Sequence, residues 1–249
     1  MRSDSILRPT SSHRGGFSPL AMRFACVAAC ILSLLASCTS ERYDSGDGSN
    51  SYLTAELALV NTSADGSVRS ATLDDGAVVT FSNPFIVDWA QKPDTAYRAL
   101  VYYDRTSDDM ANVPMKARSV VSVPVLAAVD ASRVPNIRTD ALGIESVWLS
   151  ANRRYVNLSL LLKAGKTSGD DAVQTLGLIS YGVQTASDGS RTLRLTLYHD
   201  QGNVPEYYTV QRYVSIDSRL FKDADHVELT VNTYDGVQKF DLLSRGSEL

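Results

Sequence analysis

Short stretches of alternating apolar and polar residues, each ended by a turn sequence, fill this chain from residue 52 to its last residues. In 191–198, for example, leucines alternate with polar residues. A period of two is typical of a half-buried β-strand, and Asp74-Asp75-Gly76 is typical of a tight hairpin turn. The chain shows neither helical heptads nor alternating strands and helices. The pattern therefore predicts an all-β protein.

The strands fall into two groups. Residues 52–125 hold about five predicted strands, which suits a small OB-like barrel. Residues 140–249 hold turns at a spacing of about ten residues, which predicts an immunoglobulin-like β-sandwich. Residues 126–139 contain prolines and lack a clear period, so we interpret them as a linker.

Two local signals refine the strand predictions. Asn83-Pro84 predicts the end of the third strand, because proline cannot donate to a ladder. Gly177 and Gly182 lie inside the predicted strand 173–185 and indicate a bend or a β-bulge there.

Residues 1–37 are predicted to be a lipoprotein signal peptide. The apolar run 24–35 is too short for a membrane span, which needs roughly 20 residues, and it leads into Leu35-Ala36-Ser37-Cys38. The alternatives are an ordinary secretory signal or a short buried helix, with an incidental cysteine. Met22-Arg23 directly precedes the run, so we expect translation to start at Met22 rather than Met1.

Cys38 is the predicted lipidation site, carrying acyl chains such as palmitate. Residues 38–51 are rich in Ser, Gly and Asp and would form a flexible tether. The protein would then be anchored in the cell envelope by lipid, at the outer membrane, on its periplasmic or outer face. Cys26 and Cys30 leave with the signal, so the mature chain can form neither an internal disulfide nor a thiolate metal cluster.

The charge balance argues against nucleic acid as a partner. The chain carries a formal net charge of −4, and removing residues 1–37 takes away four arginines and one aspartate. An acidic chain without a basic stripe cannot neutralise phosphates. No Gly-rich phosphate loop is present, and no alternating Asp/Asn calcium loop is found, so we expect no cofactor and no metal.

The sequence gives no support for an enzyme. Asp74 and Asp75 are paired carboxylates, but their place in a hairpin turn favours a turn role. His199 and His226 each adjoin an aspartate, yet no nucleophile signature accompanies them, and both fall at predicted strand ends where a solvated histidine is common. A hydrolase with an unrecognised site stays as a third hypothesis.

Aromatic residues are the candidate ligand contacts. Strand geometry sends one ring of each adjacent pair, Tyr102-Tyr103 and Tyr207-Tyr208, to either face. Tyr103, Tyr208 and Trp89 are therefore candidate ligand-binding residues, with packing on a neighbouring strand as the simpler alternative. Trp148, between Val147 and Leu149, is interpreted as a core residue, with a ligand platform as the alternative.

Three stretches carry a family resemblance: Pro124-Val125-Leu126, Ile144-Glu145-Ser146-Val147-Trp148-Leu149 and Arg154-Tyr155-Val156-Asn157-Leu158. With the lipobox and tether, they make residues 38–245 similar to the NigD-like lipoproteins. The resemblance implies an OB-like domain followed by a β-sandwich, anchored in the envelope of double-membrane bacteria. It also implies a bacteriocin-linked immunity role, but no active-site residues.

These observations lead to a non-catalytic envelope lipoprotein that binds another envelope macromolecule. The alternative is a glycan-binding accessory lipoprotein that uses exposed aromatics. A concave cleft lined by aromatic rings would favour glycans, whereas a flat apolar patch would favour a protein partner. A buried carboxylate beside either histidine would favour an enzyme.

Overall fold

Strands make up most of the computed structural model, which describes residues 53–104, 114–166 and 172–244. These ranges contain strands β1 to β13 and two short 3-10 helices, Ala131–Arg133 and Ser218–Phe221. None of their helices is long and apolar enough to cross a membrane. The all-β prediction is confirmed. The predicted signal peptide, tether and Cys38 lie outside the described residues.

The first five strands form one antiparallel sheet, which we call the barrel sheet. They are β1 (Leu53–Thr62), β2 (Val68–Leu73), β3 (Val78–Phe85), β4 (Ala96–Asp104) and β5 (Lys116–Ser122), in the spatial order β3-β2-β1-β4-β5. A bridge between Phe81 and Met115 links the two ends of this order, so the sheet curls into a half-barrel. Its concave face buries a core that includes Val60, Val101 and Tyr103.

Strand β3 continues through Pro84, where the sequence predicts a break. The strand lies at an edge of the sheet order, so the missing proline N–H costs no ladder bond. Next to it, the Asn83 side chain accepts from the Ala117 N–H at 3.0 Å and donates to the Ala117 carbonyl at 3.0 Å. A side-chain amide therefore replaces a backbone pair at this point.

The remaining strands form two sheets that pack face to face. The long sheet contains β6 (Ala128–Asp130), β9 (Thr175–Thr185), β10 (Arg191–Asp200), β12 (His226–Thr233) and β13 (Gly236–Ser244), in the order β13-β12-β10-β9-β6. The short sheet contains β7 (Gly143–Leu149), β8 (Tyr155–Ala164) and β11 (Tyr208–Asp217), in the order β11-β8-β7. One continuous apolar core, which includes Leu158, Leu195 and Leu229, lies between them.

The segment 126–139 is more than the linker predicted from the sequence. Strand β6 pairs parallel with β9, and Leu126 is buried in the sandwich core. The three-residue strand is too short to show a period of two, which is why the pattern missed it. The expectation of a linker without regular structure is wrong here.

The predicted bulge occurs at one of its two glycines. The β9–β10 register slips between Leu193 and Leu195, opposite Gly182, whose φ is 76°. Glycine tolerates this left-handed backbone at little cost. Gly177 instead lies in regular register opposite Tyr198.

Candidate functional site

The short sheet offers chemically different residues on its two faces. Along β8, Leu158, Leu160 and Leu162 enter the sandwich core. The intervening Asn157 and Ser159 point the other way, and both are fully buried. They are buried because this outer face packs against the convex face of the barrel sheet. All the described residues, from Leu53 onward, belong to one compact unit.

Arg98 of β4 is the centre of that contact. Its guanidinium donates to both Asp74 carboxylate oxygens, at 2.5 and 2.7 Å. The Nη2 atom also donates to Asn157 Oδ1 at 2.9 Å, and Nε donates to Ser215 Oγ at 3.1 Å. One arginine therefore joins the barrel sheet to two strands of the short sheet.

The surrounding groups complete this Arg98 cluster (Arg98, Asp74, Asn157 and Ser215). Asn157 Nδ2 donates to Asp74 Oδ2 at 3.0 Å, and the guanidinium carbon lies 4.3 Å from the centroid of the Tyr155 ring. The Arg98 side chain is only 1% exposed and Asp74 19%. A charge buried this deeply is costly unless it is paired, and here every partner is supplied by the fold.

Away from this cluster the two sheets leave a concave space, which we call the inter-sheet groove. It contains two cavities of about 490 and 510 Å³, which share four lining residues. The shared residues are Leu100 and Tyr102 of β4 and Gln211 and Tyr213 of β11. Volumes of this size are ordinary for ligand sites.

Three aromatic rings line the groove: Tyr102 from the barrel sheet, and Trp148 and Tyr213 from the short sheet. Trp148 is 36% exposed and meets Tyr213 edge-on, with ring centroids 6.3 Å apart and planes at 85°. Leu57 and Leu100 add apolar surface between them. The groove is therefore an aromatic surface with a hydrophobic floor.

Polar groups stand beside these rings. Ser159 Oγ donates to Glu145 Oε2 at 2.7 Å and accepts from Gln211 Nε2 at 2.9 Å, while Gln211 Nε2 also contacts the Glu145 carboxylate. On the barrel side, the Glu56 carboxylate accepts a 2.5 Å bond from the Tyr103 hydroxyl, so it points into the barrel core and away from the aromatic surface. The polar groups held beside the rings are therefore those of Glu145, Ser159 and Gln211 on the short sheet.

The fold has clear structural relatives, although no family model and no curated protein matches the sequence. A NigD-like immunity protein from Bacteroides caccae superposes with a TM-score of 0.58 at 20% identity, over 76% of this chain and 91% of its own. A protein of unknown function, DUF1344, from Bacteroides vulgatus gives 0.56 at 16% identity, over 79% and 92%. A candidate lipoprotein from Bacteroides fragilis gives 0.57 at 11% identity, over 79% and 100%.

The fold is that of NigD-like proteins. At these identities the comparisons establish the fold alone, and they confirm the resemblance noted in the sequence at that level. None of the three neighbours is described as an enzyme. Of the stretches that carried the resemblance, one supplies Trp148 to the groove wall and Glu145 to the polar groups beside it, and another supplies Asn157 to the Arg98 cluster.

The aromatic residues singled out in the sequence lie outside the groove. Tyr103 is 1% exposed inside the barrel core, so the prediction of an exposed ring there is wrong. Trp89 is half-buried, packs on the same core and meets Tyr97 edge-on at 6.0 Å. Tyr208 is exposed at 54%, and so is its neighbour Tyr207 at 71%, because the pair stands at the start of β11.

Trp148 is the functional candidate that the sequence reasoning placed in the core. Val147 and Leu149 pack against the sandwich core, so the intervening residue must face outward on the strand. That alternation was visible in the sequence. By the same rule, Tyr102 rather than Tyr103 faces the groove, because Val101 and Tyr103 share the barrel core.

The paired aspartates of the first hairpin have separate roles. Asp75 Oδ1 accepts from the Ala77 N–H at 2.8 Å, as expected of a turn residue. Asp74 instead turns its carboxylate to Arg98, which lies 24 positions further along the chain. The turn interpretation thus accounts for Asp75 but not for the side chain of Asp74.

The two histidines do not form a catalytic arrangement with the described residues. His199 is buried rather than solvated, with Nδ1 2.8 Å from the Asp140 carbonyl and Nε2 without a hydrogen-bond partner. His226 is half-buried at the start of β12. Among the residues that the structure describes, no three His, Cys, Asp or Glu side chains are grouped as metal ligands would be.

The perturbed carboxylates lie in loops and strand ends away from the groove. Hydrogen bonds from Ser67 and Arg69 hold the pKa of Asp65 well below its usual range. Bonds from Ser190 lower the pKa of Asp188 in the same way, and Arg118 lowers that of Asp104. These shifts belong to turn and surface contacts, so they mark local structure rather than acid–base chemistry.

Proposed function

We propose that this protein is a non-catalytic lipoprotein of the bacterial cell envelope that binds another envelope macromolecule in its inter-sheet groove. The observation that carries the proposal is the groove itself. Trp148, Tyr102 and Tyr213 line one concave surface, and the Arg98 cluster fixes the two sheets that form it. Exposed aromatic rings held on rigid elements are characteristic of binding sites.

The envelope location is supported by the lipobox that ends at Cys38 and by the candidate lipoprotein among the structural neighbours. Labelling of cells with radioactive palmitate tests it. We expect label in the wild-type chain and in the membrane fraction, and neither in a Cys38→Ser variant. Label retained by Cys38→Ser would contradict the anchor, and separation of inner from outer membranes would test the outer-membrane assignment.

The binding role is tested by blocking the groove without removing its rings. Ser146 is exposed and lines the groove, so Ser146→Arg places a long side chain in the space. Gln238→Arg makes a comparable addition on exposed β13, outside the groove-lining residues. In affinity capture from solubilised envelopes, we expect Gln238→Arg to retain every component bound by the wild type. Ser146→Arg should lose at least one of them, and identical captures from both variants would contradict the proposal.

A bacteriocin-linked role is suggested by the neighbour described as an immunity protein. Its test is survival under bacteriocin challenge of cells with and without this chain. Equal survival of the two kinds of cell would contradict the immunity role, but it would not affect the proposal that the groove binds an envelope macromolecule.

A further inference from the structure

The chemistry of the inter-sheet groove defines a class of ligand, and this step rests on the binding role proposed above. The rings of Trp148, Tyr102 and Tyr213 present apolar surface next to polar groups. A pyranose sugar has the matching character, because one of its faces exposes C–H groups and its rim carries hydroxyls. Aromatic side chains bury such apolar faces well, and they lose little conformational freedom in doing so.

The polar groups beside the rings suit hydroxyls. The carboxylate of Glu145 is an acceptor, and the amide of Gln211 offers both a donor and an acceptor. Mutual hydrogen bonds hold Glu145 and Gln211 together with Ser159. Preorganised acceptors reduce the ordering cost of binding a flexible, hydroxyl-rich chain.

The charges of the lining residues further restrict the class of ligand. The carboxylates that line the first cavity are Asp75 and Asp74, of which Asp74 is already paired with Arg98, and no described Lys or Arg lines this cavity. Arg212 is the single described basic residue that lines the second cavity. The first cavity is therefore mildly acidic, and it offers no cationic site to phosphorylated or otherwise anionic polymers.

A basic peptide is the other occupant that an acidic groove could accept. An extended peptide binds most often by adding a strand to a free sheet edge. The barrel wall of this groove is a sheet face, built by β1 and β4, which are hydrogen-bonded to neighbours on both sides, whereas the short-sheet wall is built by the edge strands β7 and β11. The three aromatic rings on these walls favour a sugar, and a basic decapeptide provides the direct test of peptide binding.

We propose that the inter-sheet groove binds a segment of a neutral glycan, with Trp148 as the principal stacking residue. Tyr102 and Tyr213 complete the aromatic surface, and Glu145 and Gln211 receive the hydroxyls. Two connected cavities of about 490 and 510 Å³ match a chain of linked sugars better than a single unit.

The test uses the full lipidated protein in a detergent without a sugar headgroup. The probes are maltohexaose, cellohexaose, chitohexaose and mannohexaose, with dextran sulfate as the anionic probe and decalysine as the basic peptide. Binding is measured by calorimetry and by quenching of tryptophan fluorescence. We expect saturable binding of at least one neutral hexasaccharide, and no competition from dextran sulfate.

Three variants identify the site. Trp148→Ala should weaken the binding by about tenfold or more, as is usual when a stacking ring is removed. Ser146→Arg should abolish it while leaving all native rings in place. Trp89→Phe should leave the affinity unchanged, because Trp89 packs on the barrel core.

Failure of the glycan assignment is distinguishable from failure of the binding role. The assignment is overturned if no neutral probe binds, if Trp148→Ala binds as tightly as the wild type, or if decalysine alone binds. If Ser146→Arg still loses an envelope component in those cases, the proposed function stands and only the ligand class is wrong. If Ser146→Arg retains every envelope component, the proposed binding function and the glycan assignment are both wrong.

Discussion

The two faces of the short sheet differ in the forces that hold them. On the inner face, Leu158, Leu160 and Leu162 pack against the long sheet, so burial of apolar surface stabilises the contact. On the outer face, Asn157 and Ser215 meet the barrel sheet through directed hydrogen bonds with Arg98. Apolar packing tolerates small shifts, but a hydrogen-bond network fixes one relative position of the two surfaces.

This difference explains where the groove lies. On the inner face, apolar side chains of the two sandwich sheets fill one continuous core. On the outer face, the Arg98 cluster holds the sheets at one place, and neighbouring positions such as Tyr102 and Gln211 line open space. The following predictions test the contrast, starting with the largest expected effect.

Truncation of Leu160 should destabilise the protein most. Its side chain is fully buried on the inner face, and a Leu→Ala change at such a site costs about 2–5 kcal/mol. The adjacent Leu161 lies on the outer face and is half-buried, so Leu161→Ala should cost about 1 kcal/mol. Urea unfolding of both variants measures the two losses of unfolding free energy. Equal losses would contradict the division between the faces.

Removal of Arg98 should cost about 3 kcal/mol, because it leaves the Asp74 carboxylate half-buried without its charged partner. The pair of Arg118 and Asp104 is the control, because the Arg118 side chain is 43% exposed, and Arg118→Leu should lose clearly less stability than Arg98→Leu. In a double-mutant cycle, the combined variant Arg98→Leu/Asp74→Leu should lose less unfolding free energy than the two single variants together. The difference should be at least about 1 kcal/mol. Strict additivity would show that the two residues act independently.

Removal of the Ser159 hydroxyl should cost about 1 kcal/mol, the usual contribution of a hydrogen bond. It would also release Glu145 and Gln211, which the hydroxyl links. Thermal unfolding of Ser159→Ala measures the loss, with Ser187→Ala in an exposed turn as the neutral control. A Ser159→Ala protein as stable as this control would mean that the polar cluster adds no stability.

Acid should have the smallest effect on the fold. The pKa values of Asp65, Asp104 and Asp188 are lowered by hydrogen bonds that exist only in the folded chain. Carboxyls of this kind stabilise the fold above the ordinary aspartate pKa of about 3.9, and the contribution disappears as the pH falls through their folded pKa values. We expect a constant urea midpoint from pH 7 to pH 5 and a decline below about pH 4. Asp188→Asn should show a shallower decline, and a midpoint that rises on acidification would contradict the assignment.

The sequence predicted the strands better than the surfaces between them. The alternation placed the predicted strands 173–185 and 191–198 within two residues of the bounds of β9 and β10, because the period of two reflects local burial. It could not reveal that Asn157 and Ser159 are buried, since their cover comes from a sheet distant in sequence. The contact between Arg98 and Ser215 spans 117 residues and has no local signal.

For the groove residues too, the sequence could predict the direction of a side chain but not its distant partners. Trp148 and Tyr102 could have been assigned outward from the alternation of their neighbours. The sequence could not have predicted that these two rings line the same groove, because their meeting depends on how the barrel sheet packs against the short sheet. Pro84 and the segment 126–139 were misjudged for a related reason, since an edge position and a three-residue strand are defined by their partners.

The distance between Arg98 and Ser215 along the chain also bears on the order in which the protein folds. In a chain exported as proposed above, β4 emerges from the membrane before β11, so the barrel sheet can form while the surface around Arg98 and Leu100 is still uncovered. Until residue 215 arrives, the Arg98–Asp74 pair and the apolar side chain of Leu100 face solvent together. During this interval the surface can aggregate or be held by a chaperone of the envelope.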